Sequence, residues 1–134
     1  MESPMSAFST ISQAHPGQFA EFVQLLLQFI NTYFTSHAMQ PITDIVTLQD
    51  GVSLIQLVGL IADTFVPLSK YNLNPVSRSQ SVNNVSLCLD LMRDCLGVDQ
   101  YLLDDIQIHQ IVDGNIQAIS KLLFYLQETI NYYS

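Results

Sequence analysis

The segment that most constrains the fold is Val52 to Ala62, where Val52, Leu54, Ile55, Leu57, Val58, Leu60, Ile61 and Ala62 leave no polar side to a helix. A helix that is apolar all round is stable in water only when other elements enclose it. The run is too short to be a membrane span, which needs ~18 apolar residues or more. Asp50-Gly51 sets its start. The rest of the chain must therefore supply the helices that wrap it.

Those helices are readable from apolar spacing. Ser3-Pro4 reads as an N-cap and first helical position, and Met5, Phe8 and Ile11 then recur every third residue up to Pro16-Gly17. From Phe19 to Phe34, Phe22, Val23, Leu26, Ile30 and Tyr33 follow helical spacing, while Leu25, Leu27 and Phe29 widen the stripe beyond one face. The stretch from His37 to Gln49 breaks the period and is expected to be a loop. Ser77-Arg78-Ser79-Gln80 has the spacing of a capping box, and the helix after it is expected to bury Val82, Val85, Leu89, Met92 and Leu96 before Gly97 ends it. Tyr101 to Ile111 is expected to hold a minor helix. Asp113-Gly114-Asn115 caps a last helix with the stripe Ile116, Ile119, Leu123, Leu126, Ile130 and Tyr133. No segment alternates as a strand would, and no repeat of fixed period is visible. The fold class is all-α, with about four main helices and short connecting ones.

Composition narrows the partners. The 134 residues include twelve acidic and only four basic ones, for a formal charge of −8. Nucleic acid is disfavoured, because phosphate contacts need Lys and Arg. The first 69 residues carry neither. There is no basic n-region and no spanning apolar run, so neither secretion nor membrane insertion is expected, and a cytoplasmic location follows. Cys88 and Cys95 are seven apart, ~10 Å along one helix face, too far for a disulfide. Both read as reduced thiols on or beside the apolar stripe.

Enzyme chemistry finds little support. His109, Asp113 and Gly114 spell H-x-x-x-D-G, an acyltransferase-like signature, but a chain of this size cannot build a two-substrate channel and the Asp-Gly-Asn already caps a helix. The histidines are scattered, no Cys/His set has metal-ligand spacing, and no Gly-rich phosphate loop is present. No catalysis, metal or cofactor is expected.

Two motifs carry a resemblance. Asp50-Gly51-Val52-x-Leu54-Ile55-x-Leu57 resembles the start of the central helix of calponin homology domains, and Ile111-Val112-Asp113-Gly114-Asn115 resembles the family's approach to its last helix. They stand in the right order, roughly 60 residues apart. Within the family the chain is most similar to the second such domain of the parvins, through Gly59-Leu60 to Leu68, Leu73-Asn74-Pro75 with Ser77, and Val82-Asn83-Asn84-Val85-Ser86 to Leu91-Met92. The resemblance implies a linker helix in residues 1–16 and a calponin homology domain in 17–134. It also implies an adaptor of the cytoskeleton and of adhesion sites that docks a pseudokinase of the integrin-linked-kinase kind and accepts a leucine-rich LD helix of paxillin-type partners. Direct F-actin binding is the alternative.

Carried onto this chain, the partner groove would involve Phe8, Phe22, Leu25, Phe124, Gln127 and Asn131, and helix-in-groove burial would supply the affinity. Asp50, Gly51, Asp113, Gly114 and Asn115 would be structural. Parvin grooves carry basic residues that meet acidic LD positions, whereas the matching positions here are Gln, Asn or apolar, with Glu21 beside them. Weaker binding of an acidic LD helix is therefore expected, and a different amphipathic helix stays open as the ligand.

Overall fold

Seven α-helices run through residues 2–133, which are the residues described by the computed structural model: α1 (Pro4–Ser12), α2 (Pro16–Ser36), α3 (Val52–Ala62), α4 (Arg78–Leu96), α5 (Gln100–Asp104), α6 (Ile108–Val112) and α7 (Ile116–Tyr133). Met1 and Ser134, the outermost residues of the two expected segments, lie outside the described residues. No β-strand occurs among the described residues.

The helix starts follow from local chemistry. Ser3 Oγ accepts the Ser6 amide at 3.2 Å with Pro4 at the first helical position. Ser77 Oγ accepts the Gln80 amide at 3.3 Å, while Gln80 Oε1 reaches back to the Val76 amide at 2.7 Å. Asn115 Oδ1 accepts the Ala118 amide at 2.9 Å. Each cap replaces water on an otherwise orphaned N–H and stabilises its helix by about 1 kcal/mol. His15 performs the same service for α2, its Nδ1 accepting the Gly17 amide at 3.1 Å.

Helix α3 sits where its composition demands. Leu54, Ile55, Leu57 and Val58 are buried, α4 packs most extensively against it, and α2 flanks it. Helix α7 supplies the other half of the core through Ile119, Leu122, Leu123, Tyr125 and Leu126.

Four details depart from the sequence reading. The 37–49 stretch contains a 3₁₀ turn, Ile45–Asp50, whose Ile45 and Leu48 are buried; so short a turn leaves no helical period to detect. Tyr101–Ile111 holds two short helices, α5 and α6. On α4 the buried stripe is Asn84, Val85, Cys88 and Met92, with Val82, Leu89 and Leu96 only half-buried. Cys95 is exposed, although Leu96 beside it packs against the core.

Candidate partner-helix groove

The greasy breadth of α2 decides the shape of one face of the molecule. Its Leu26, Leu27, Ile30 and Phe34 fill the core, which leaves Leu25 on another side, 59% exposed. Helix α7 lies alongside, and between the two runs an open groove of about 490 Å³. Phe22, Leu25, Phe29 and Tyr33 line it from α2, and Gln127, Ile130 and Asn131 from α7. Four of the six expected groove residues, Phe22, Leu25, Gln127 and Asn131, therefore meet at one surface.

Phe8 and Phe124 sit elsewhere, at the junction of the groove with α1. Phe8 is 6.2 Å from Phe22 and 6.0 Å from Phe124 between ring centroids, and Phe22 is 5.5 Å from Phe124. This triangle joins α1, α2 and α7, and Phe8 and Phe124 are buried in it. Tilted and edge-on pairs of this kind add about 0.5–1.5 kcal/mol each beyond area burial. The two rings thus form a foundation under one end of the groove, and Phe22 alone both belongs to the triangle and lines the groove.

On its other side Phe8 faces polar ground. Lys121 Nζ lies 5.8 Å from the Phe8 ring centroid and 3.2 Å from Asp105 Oδ2. Tyr125 donates its hydroxyl to the same carboxylate oxygen at 2.5 Å. Burial first, and then the Asp105 carboxylate, push the Tyr125 phenol well above its ordinary pKa. This network was not anticipated from sequence, although a tyrosine set among Leu122, Leu123 and Leu126 must find a hydrogen-bond partner.

Charge is sparse around the groove. Helix α1 has no charged residue, α2 has only Glu21, and α7 has only Lys121 and Glu128. Glu21, Leu25, Gln28 and Thr32 follow the i, i+4, i+7, i+11 spacing of one helix stripe, so Glu21 stands one turn beyond Leu25. Glu128, seven residues after Lys121 on the same stripe of α7, lines a separate cavity with Ser3, Pro4, Asp99 and Tyr132.

The signature residues do structural work. Gly51 has φ +80°, and a Cβ there would lie 2.7 Å from Asn84 Cβ and 2.9 Å from the Val85 amide. Asp50 Oδ1 accepts the Val52 amide at 3.0 Å. Asn84, buried to 1% exposure, donates to Asp50 O at 3.0 Å and Asn72 O at 2.9 Å and accepts the Asn72 amide at 2.9 Å. One amide side chain thereby pins the α3 start and the irregular 63–77 connection onto α4. Gly114, with φ +82°, leaves room for Gln49, whose Oε1 would be 2.7 Å from a Cβ there.

The H-x-x-x-D-G residues meet Arg78. Its guanidinium bonds Asp113 and lies 3.3 Å from His109 Nδ1. The Arg78 hydrogen bond holds the Asp113 carboxyl below the usual carboxylate range. Cys88 is fully buried, and desolvation pushes its thiol up to about 12, so it is no nucleophile. Among the described residues, no three His, Cys, Asp or Glu side chains are placed to hold a metal ion, and no helix is long and apolar enough to cross a membrane.

An all-helical arrangement with a buried central helix, an Asp-Gly start and an Asp-Gly-Asn cap defines a class, and residues 20–132 match the family model of the calponin homology (CH) domain. The chain belongs to that family. Among its relatives, human beta-parvin is 36% identical over 89 residues, 66% of this chain and 24% of that protein. Paralyzed arrest at two-fold protein 6 of Caenorhabditis elegans is 31% identical over 121 residues, 90% of this chain and 31% of that protein. Alpha-actinin-like protein 1 of Schizosaccharomyces pombe is 33% identical over 100 residues, 74% of this chain and 15% of that protein. The chain is thus a parvin-like calponin homology domain, and it spans about a quarter to a third of the first two relatives.

Proposed function

We propose that this domain is a non-catalytic adaptor module of the cytoskeleton and adhesion machinery that receives an amphipathic helix of a protein partner in the α2–α7 groove. The observation that carries the reading is Leu25, a large apolar side chain 59% exposed in a concave, uncharged lining shared with Phe22 and Ile130. Apolar side chains spaced along a partner helix at i, i+3/i+4 and i+7 would bury against it. Docking of a pseudokinase belongs to the same reading as a second, separate contact. The non-catalytic role is supported by Asp113 being committed to Arg78 and by a buried, strongly protonated Cys88.

Titration of isotope-labelled protein with an LD-type amphipathic peptide, followed by amide shifts, tests the groove. Saturable shifts at Phe22, Leu25 and Gln127 are expected, with about tenfold weaker binding in Leu25→Gln. Absence of shifts at millimolar peptide would remove the LD-helix ligand.

F-actin is the second reading, favoured by the similarity to alpha-actinin-like protein 1 and opposed by the scarcity of Lys and Arg. Co-sedimentation with filaments decides it; a pellet fraction that saturates with filament concentration would displace the adaptor reading.

A further inference from the structure

We infer that the cavity between the start of α1, the α4–α5 turn and the last turns of α7 takes an arginine side chain from a basic segment of a protein partner. Glu128, Thr129, Tyr132 and Tyr133 line this cavity of about 520 Å³, whereas Gln127, Ile130 and Asn131 line the α2–α7 groove. At about 100° per residue the two sets fall on opposite sides of α7. The cavity is therefore a second surface, and the inference stands without the groove reading.

The lining joins two kinds of group that attract one kind of ligand. The first is carboxylate. Of the twelve acidic side chains, seven are held by an ion pair or a hydrogen bond among the described residues. Of the five that are not, Glu2, Asp99 and Glu128 line this one cavity, and none of the four Lys and Arg side chains does. Asp99 stands at the N-cap of α5 without bonding an amide there. Three carboxylates around one hollow repel one another, and a cation bound among them relieves that repulsion.

The second kind is aromatic. Tyr101, Tyr132 and Tyr133 line the same cavity and are 48%, 71% and 69% exposed, so their rings are not spent on the core. The Tyr132 and Tyr133 rings stand at 90° with centroids 5.0 Å apart and form a corner. A ring face attracts the same cation that a carboxylate attracts. Guanidinium suits this mixture better than ammonium, because it is flat enough to stack on a tyrosine while its N–H groups fork onto carboxylates at its edge.

Glycine-serine peptides of equal length with a central pair of Arg, Lys or Glu, titrated into the full chain, test the site. Amide shifts at Asp99, Tyr101 and Tyr132 are the readout, and Leu25 and Gln127 report on the groove. At ~0.15 M salt, where diffuse attraction to the chain's charge of −8 is screened, the Arg peptide is expected to give saturable shifts at the first set and none at the second. The Lys peptide should bind about threefold more weakly, and the Glu peptide should not bind. Tyr132→Leu keeps apolar area but removes a ring face, and Asp99→Asn with Glu128→Gln keeps shape but removes charge. Each change lies outside the buried core and is expected to weaken the Arg peptide by about three- to tenfold. Failure of the Arg peptide to saturate at millimolar concentration, equal affinity for the Arg and Glu peptides, or undiminished affinity in both variants would overturn the inference. A saturable response at Leu25 and Gln127 alone would move the basic segment into the groove and overturn it as well.

Discussion

The α3–α4 contact and the α2–α7 contact are both helix pairs packed side by side, yet one is closed and the other is open. Between α3 and α4 even the polar groups are spent internally: Asn84 makes three hydrogen bonds within the domain, and Gly51 lets the two backbones approach until no Cβ fits. Between α2 and α7 the aromatic triangle fills one end, and beyond it Leu25 faces solvent across a groove. The closed pair has no surface left to offer, so its substitutions should cost stability. The open pair has apolar surface in excess of what the core uses, so its substitutions should cost binding.

The sharpest way to break the comparison is Gly51→Ala. A Cβ at 2.7–2.9 Å from Asn84 and Val85 on a backbone at φ +80° combines overpacking with left-handed strain, for an expected loss of about 3–4 kcal/mol in urea unfolding. Asn84→Ala follows. It leaves Asp50 O, Asn72 O and the Asn72 amide without their partner, at about 3 kcal/mol for groups that water can only partly reach. A loss below about 1 kcal/mol for either variant would mean that the α3–α4 contact can relax, and the contrast with α2–α7 would collapse.

Tyr125→Phe probes the face between the two extremes. It removes the 2.5 Å bond to Asp105, and a loss of about 1–2 kcal/mol is expected because the acceptor is charged and keeps Lys121. The sign of its pH dependence is fixed. The folded-state pKa of Tyr125 is raised, so its contribution is whole below the ordinary phenol value near ~10 and is lost as pH climbs through the raised one. Wild type should therefore lose stability more steeply than Tyr125→Phe in alkaline unfolding curves. Parallel curves would remove the hydrogen bond from the account.

How far the sequence could be read follows the same division. The burial of α3 was legible because eight apolar residues within eleven positions leave the helix little else to face, and the caps at Ser3, Ser77 and Asn115 were legible because they act on amides three residues away. Asn84 was not, since hydropathy treats an amide as surface and only the approach of residues 50 and 72, from distant parts of the chain, makes it core. The same holds for the pairing of Lys121 with Asp105 and of Arg78 with Asp113. The groove was legible in part. Excess apolar breadth on α2 pointed to Phe22 and Leu25, but spacing could not say that Phe8 of α1 would close over Phe124 and bury both rings.

Leu25→Gln carries the smallest expected effect on folding and the most information about the open face. The side chain is more than half exposed, lies outside the buried set of α2, and is replaced by a residue of comparable helix propensity. Its removal should change unfolding free energy by no more than about 0.5 kcal/mol. The same change takes a methyl-rich contact out of the groove and should weaken a docked amphipathic helix by about tenfold, the loss of one well-buried apolar anchor. A large stability loss would show that α2 packs as tightly on this side as on its core side, and the open face would then be as closed as α3–α4. Unchanged stability together with unchanged peptide affinity would leave the groove in place and move the binding energy away from Leu25, towards Phe22 and the aromatic triangle beneath it.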